Sequence, residues 1–296
     1  MMQKNLQVRL QEIFSGPVRI ERTFPVSGGC INQSQILLLD NGERVFMKSN
    51  DHAPENFFLT EAKGLLLLST ASGGPKIPRP LETPSAQASD LLIECMEESP
   101  APPDYPVIFA QALANLHRVT QDVFGLDHDN FIGKTRQIND LTVEGLTFFR
   151  DQRIGFQQEL ARKQGLLPPT TDRELDRLKG KLPELLNLDG ERPALLHGDL
   201  WSGNHFPVGG RPCLFDPAVY FGFREADLAM TRLFGSLPER FYSAYREIFP
   251  LLSGWQERED IFNLYHLLNH LNLFGTSYLG SVQQITKRYA GNICTK

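Results

Sequence analysis

Leu195-Leu196-His197-Gly198-Asp199-Leu200-Trp201-Ser202-Gly203-Asn204, followed by Leu214-Phe215-Asp216-Pro217, is the stretch on which the reading of this chain turns. Its polar positions spell His-x-Asp-Leu-x-x-x-Asn, with a second aspartate after an apolar run, which is the spacing of a phosphoryl-transfer loop and its metal-binding Asp. Such a reaction needs one carboxylate beside the attacking hydroxyl, and oxygen ligands that hold magnesium on the nucleotide phosphates. Asp199 suits the first task, Asn204 and Asp216 the second. Residues 204–208 and 211–215 flank Gly209-Gly210, a hairpin signal. Symmetric pairing about Gly210 would set positions 204 and 216 opposite each other, roughly 4.5–5.5 Å apart at Cα. Two oxygen ligands at that separation can share one ion.

Upstream, the first hundred residues read as a nucleotide clamp. Residues 19–26 form a candidate strand, interrupted by Ser27-Gly28-Gly29-Cys30-Ile31-Asn32 before residues 33–40 resume it. Adjacent glycines let backbone amides approach a phosphate closely, so Gly28, Gly29, Cys30, Ile31 and Asn32 are candidate nucleotide contacts. Asn41-Gly42 supplies a turn into residues 43–48, and symmetric pairing about that dipeptide sets Lys48 opposite Gln35, close to the glycine loop. In the helix expected over residues 54–68, Phe58, Glu61, Leu65 and Leu68 share one stripe. Glu61 is therefore a carboxylate on the inward face, where it needs a partner. Lys48 is the candidate, in the manner of the strand-lysine to helix-glutamate pair of kinases. Residues 90–96 read as a further strand stopped by Glu97-Glu98-Ser99-Pro100-Ala101-Pro102-Pro103, a connector between two lobes. Backbone groups of Glu94, Cys95 and Met96 are placed there to bond an adenine edge.

The larger remainder, residues 98–296 against 1–97, reads as mainly helical. Helices are expected over residues 105–119, 140–165 and 171–188, and from Arg224 onward. His117 reads as a core or capping histidine, and Asp227 as either a helix cap or a support for the catalytic loop. A final helix carries Tyr265, His266, Asn269, His270, Asn272 and Phe274, which either satisfy the core or line a polar pocket. The whole is an α+β chain of 296 residues, with ample length for a core. A hydrophobic content of 41% with 22% charged residues is that of a soluble protein, and a net charge of −5 gives no nucleic-acid footprint. No apolar run approaches a membrane span. Cys30, Cys95, Cys213 and Cys294 form no CxxC pair, which fits a reducing cytoplasm.

These residues resemble the fructosamine kinase (ketosamine-3-kinase) family, relatives of aminoglycoside phosphotransferases and choline kinases. The likeness rests on Ser27 to Asn32, Asn130-Phe131-Ile132-Gly133, Leu195 to Asn204 with its Leu-Trp-Ser-Gly insert, Phe215-Asp216-Pro217-Ala218, Glu225 to Met230 and Asn269 to Gly275. It covers nearly the whole chain. It implies a two-lobed protein-kinase-like fold, with a small antiparallel-sheet lobe and a larger helical one. It also implies ATP with Mg2+ and phosphorylation of the 3-hydroxyl of a ketosamine, free or protein-bound; the unstable product makes the activity a deglycation. Trp201 offers a flat apolar face for a sugar ring, and His270 and Asn272 are candidate substrate contacts. A monomer or weak homodimer is expected, and a thiol in the glycine loop makes Cys30 a candidate redox switch or inter-chain crosslink. The competing readings are a kinase for an aminoglycoside or amino alcohol, and a catalytically silent nucleotide-binding module. Against the last, Lys48, Glu61, Asp199, Asn204 and Asp216 are all present.

Overall fold

The computed structural model describes residues 5–26 and 31–290, so Gly28, Gly29 and Cys30 lie outside the described residues. Helix α1 (Leu6–Ile13) leads into an antiparallel sheet of β1 (Ile20–Val26), β2 (Gln33–Leu39), β3 (Arg44–Ser49) and β4 (Asp90–Glu94), in that spatial order. Helix α2 (Phe57–Leu68) packs on this sheet. Its Phe58, Leu65 and Leu68 are each 1% exposed, as the apolar stripe requires. Each such side chain contributes about 1.5–3 kcal/mol on burial. Arg9 of α1 reaches Asp90 of β4 at 2.6 Å and also pairs with Glu82, which seats the helix against the far edge of the sheet.

The turn after β2 differs from the symmetric expectation. Leu39 N donates to Glu43 O at 2.9 Å and Gly42 N to Leu39 O at 2.9 Å, so three residues, not two, form the loop. Gly42 takes the left-handed conformation that ends such a loop, at φ 85°. The register moves by one residue, and Lys48 lies opposite Ser34 rather than Gln35.

Past β4 the chain crosses to a larger, mainly helical lobe. Helix α3 (Tyr105–His117) is followed by the short ribbon β5 (Asn130–Ile132) and β6 (Thr135–Gln137). Where one helix is expected over residues 140–165, a single turn α4 (Gly145–Thr147) runs into a π-helical stretch Phe148–Gly155 and then α5 (Phe156–Lys163). Widened turns of this kind are rare inside helices, and this one carries Arg153, which is wholly buried with its guanidinium 3.9 Å from the ring centre of Tyr220. Helix α6 (Pro169–Leu186) precedes β7 (Ala194–Leu196), the hairpin of β8 (His205–Val208) and β9 (Arg211–Leu214), and β10 (Tyr220–Gly222), which returns to pair with β7. Helices α7 (Glu225–Leu233), α8 (Glu239–Ile248), α9 (Trp255–Phe274) and α10 (Leu279–Ala290) complete the lobe. Helix α9 buries residues on every side, among them Phe262, Leu264, Tyr265 and Leu268, as befits a helix at the centre of a core.

The β8–β9 hairpin corrects a second register. His205 pairs with Leu214 and Val208 with Arg211, so the centre falls between Gly209 and Gly210. Both glycines have positive φ, 55° and 74°, which is what a two-residue turn matching the strand twist demands. Asn204 therefore faces Phe215, whose amide donates to its carbonyl at 3.2 Å. Asp216 stands one residue beyond.

Candidate active site

Strand β3, helix α2 and the end of β9 converge on one ammonium group. Lys48 is 3% exposed, and its Nζ lies 2.5 Å from Glu61 Oε1 and 2.6 Å from Asp216 Oδ1. Burial works against its charge, but the two carboxylates prevail and raise its pKa. For Glu61, burial raises the pKa, with Lys48 opposing. The pairing inferred from the α2 stripe is thus present, despite the one-residue register change. Asp216 holds its position in the left-handed region, φ 56°, which a residue with a β-carbon adopts only at a cost. That twist turns the side chain toward Lys48 although its backbone has run past the last pair of the hairpin.

The catalytic-loop candidates lie beside this triad. Asn204 Nδ2 donates to Asp199 O at 2.8 Å and to Asp199 Oδ2 at 3.3 Å, while Asp199 Oδ1 is buried with no partner among the described residues. Burial first, then the charge of Asp216, pushes the Asp199 carboxyl up to about 7, with Asn204 opposing. A carboxylate tuned close to neutral pH, with one oxygen unengaged, is suited to receive a proton from a hydroxyl. The donor set also fits magnesium. Asp216 offers a carboxylate, and the Asn204 amide, held by its nitrogen, leaves its oxygen as a ligand; Mg2+ takes one or two such hard oxygens and completes its shell with phosphates and water. Among the described residues no cluster of three or more His, Cys, Asp or Glu forms a self-sufficient metal cage.

Two further residues, Asp227 and His197, hold the loop in shape. Asp227 in α7 is 1% exposed and accepts the backbone amides of His197 at 2.8 Å and Gly198 at 2.9 Å. Its second duty is to His117, whose Nε2 lies 3.2 Å away and whose Nδ1 meets Tyr245 Oη at 2.7 Å. Burial disfavours the Asp227 charge, yet the His117 bond and the loop amides hold its pKa below the usual carboxylate range. Of the two roles open to Asp227 in the sequence, this is support of the loop. His197 Nε2 meets Phe215 O at 3.0 Å and its Nδ1 accepts Asp199 N at 3.3 Å, which links the residues flanking both acidic groups. The signal for Asp227 was a carboxylate inside the run Ala226, Leu228, Ala229, Met230, all buried: burial of that kind demands donors.

Other sequence candidates fall into place unevenly. Trp201 lies over Gly203, where a β-carbon would come 2.2 Å from the indole ring. Its ring is 6.4 Å from Phe234, which in turn packs at a tilt on His270 with ring centres 4.7 Å apart. Tyr278 and Phe274 close on His270 at 5.0 Å and 5.5 Å, making an aromatic wall beside the loop. Asn272 is tied through Nδ2 to Gln157, at 2.9 Å to its carbonyl and 2.8 Å to Oε1, while its Oδ1 is buried and unpartnered. In the connector, β4 ends at Glu94 rather than Met96. The Glu94 amide is engaged by Arg79 O at 2.8 Å, which leaves the backbone of Cys95 and Met96 as the freer edge. Ile31 packs with the apolar cluster under α2, and the Asn32 side chain accepts Asn50 Nδ2 at 3.2 Å.

A small antiparallel-sheet lobe whose lysine is bridged to a helix glutamate, above a helical lobe that presents Asp199, Asn204 and Asp216, defines a protein-kinase-like fold. Whole-chain comparison narrows this. The fructosamine kinase family model matches residues 1–291, and the chain belongs to that family. It is 40% identical over 279 residues to a probable ketoamine kinase of Synechocystis, covering 92% of this chain and 91% of that one. It is 35% identical to a chloroplastic protein-ribulosamine 3-kinase of Oryza sativa, over 89% of this chain and 77% of the relative. A crystal structure from Haemophilus somnus, named as a putative fructosamine-3-kinase, superposes with a TM-score of 0.86 at 30% identity over 96% of both chains. An aminoglycoside phosphotransferase, APH(4)-Ia, shares the fold at a TM-score of 0.63 and 16% identity.

Proposed function

We propose that this chain transfers the γ-phosphoryl group of ATP to the 3-hydroxyl of a ketosamine, the sugar–amine adduct left by glycation. The observation that carries the reading is the meeting of Lys48, Glu61 and Asp216 at hydrogen-bond distance beside Asp199, whose free Oδ1 is buried in the same site. In the working complex Lys48 turns from Asp216 toward the nucleotide phosphates while Glu61 keeps it in place. Asp216 and the Asn204 amide oxygen would hold Mg2+, which when bound would offset phosphate charge. Asp199 orients the acceptor hydroxyl and takes its proton. Asp227 and His197 keep the loop backbone from yielding as charge moves. The backbone of Cys95 and Met96 is assigned to the adenine edge, and Ile31 and Asn32, with the rest of the glycine loop, to the phosphates.

On the acceptor side, Trp201 and His270 form an apolar wall against which a sugar ring can lie. Burial lowers the His270 pKa, so its ring adds no positive charge to a site that must receive an amine. Deglycation follows if the 3-phosphorylated adduct breaks down, and residues 1–97 and 98–296 then work as the two jaws of the cleft. ATP consumption measured with fructoselysine, ribuloselysine, choline and an aminoglycoside tests the reading. Turnover confined to the first two is expected; turnover with choline or the antibiotic alone would place the chain with another acceptor class.

A further inference from the structure

The β5–β6 ribbon touches both helix α2 and the backbone just past Asp216, although no residue of it is needed for chemistry. Asn130, 3% exposed, donates from Nδ2 to Val219 O at 2.8 Å, and its Oδ1 accepts Gln137 Nε2 at 2.7 Å and Asn139 Nδ2 at 2.9 Å. Gln137 Nε2 also donates to Ala218 O at 3.0 Å. The backbone just past Asp216 is thereby gripped from the ribbon side. Helix α2 presses on the same segment from above, since a β-carbon on Gly64 would lie 3.1 Å from Val219 and 3.7 Å from Pro217. On its other face the ribbon sends Phe131 against Phe57 at the start of α2, with ring centres 5.1 Å apart. At its tip, Gly133 sits where a β-carbon would be 2.9 Å from Leu273 of α9 and 3.8 Å from Ile31 beside the glycine loop.

We propose that Phe131 is a positioning residue for the nucleotide site: by packing against Phe57 it locks α2 onto the helical lobe, so that Glu61 is held against Lys48 before nucleotide arrives. The inference rests on the phosphotransferase reading. Helix α2 has no side-chain N-cap bond and starts from Asn56 in the left-handed conformation, so its first turn relies on contacts of this kind. Leu59, Thr60 and Lys63 face an open groove of about 780 Å3, which Phe131 itself helps to line together with Lys134 and Arg136. Among the described residues, Phe131 is the aromatic ring of the helical lobe that meets this end of the helix.

Phe131→Ala, Phe131→Leu and wild type are compared by calorimetric Mg-ADP binding and by steady-state kinetics with varied ATP. An aromatic pair contributes about 0.5–1.5 kcal/mol beyond its area, which converts to roughly a two- to tenfold change in affinity. Phe131→Ala is expected to weaken Mg-ADP and raise the KM for ATP by about threefold or more, with a smaller loss in kcat, because bound nucleotide restores the α2 position. Phe131→Leu is expected to fall between. Amide exchange across Phe57–Leu68 rises in the Ala variant and returns toward wild type with Mg-ADP. A kcat loss with unchanged KM, or Mg-ADP affinity equal to wild type, overturns the inference; should the Ala variant fail to fold, the same criteria apply to Phe131→Leu. Absence of Mg-ADP binding in wild type itself would instead overturn the phosphotransferase reading.

Discussion

Asp199 and Asn differ by little in shape and by a full charge, so Asp199→Asn isolates the proton-accepting role. The loop is held by Asp227 and His197 through backbone groups, which that replacement leaves in place. Turnover should fall by about 10²-fold or more, the range a positioned base supplies, while Mg-ADP affinity stays within about threefold of wild type. Near-wild-type turnover would contradict the assignment. At this scale the sequence was legible at Glu61, where burial conflicted with charge. Glu61 on an apolar stripe required a cation, and Lys48 was the cation within reach. Asp227 sits in an equally apolar run, but its partners are the amides of His197 and Gly198 together with a histidine 110 residues away. Backbone amides carry no residue identity, so nothing in the sequence could name them.

Elements were readable as types and less so as registers. Both hairpins near the site were anticipated from their glycines, yet each is displaced by a residue or less from the symmetric pairing, because turn length is set by backbone conformation rather than by composition. The error was absorbed differently in the two cases: Lys48 kept its face toward α2, while Asp216 regains the site only through its positive φ. The π-helical stretch Phe148–Gly155 had no signal at all, since a helical hydrophobic period tolerates one widened turn. Gly198 tests the tight fit between loop and strand. It has φ 82°, and a β-carbon there would lie 2.0 Å from Ala218 O. Gly198→Ala should therefore cost about 2 kcal/mol or more, seen as a thermal midpoint about 4 °C lower or worse. A midpoint within 1 °C of wild type would show that the Ala218 contact is not the constraint it looks to be.

For the molecule as a whole, His205 and His266 contribute a pH-dependent part of the stability. Burial first, then neighbouring histidines, lowers His205 to about 4 and His266 to about 3. Both are thus neutral in the folded chain at pH 5, while in the unfolded chain they bind protons below their ordinary value of about 6.5. For these two groups the unfolded state binds more protons in that window, so their contribution is full above about pH 6.5 and falls as pH drops toward 4, by about 1.4 kcal/mol per pH unit for each. The Asp199 carboxyl, raised to about 7, acts in the opposite sense over the same range. The change in thermal midpoint between pH 7 and pH 5 should therefore be less unfavourable in His205→Phe than in wild type; the same change in both would contradict it. The division of labour between lobes, with Lys48 and Glu61 above and Asp199, Asn204 and Asp216 below, makes the most direct test a chemical one. Phosphorus and proton NMR of the product formed from ATP and fructoselysine should show one new phosphate ester, coupled to the hydrogen on the third sugar carbon; a phosphate on any other oxygen, or ATP hydrolysis with no ester formed, would contradict the account.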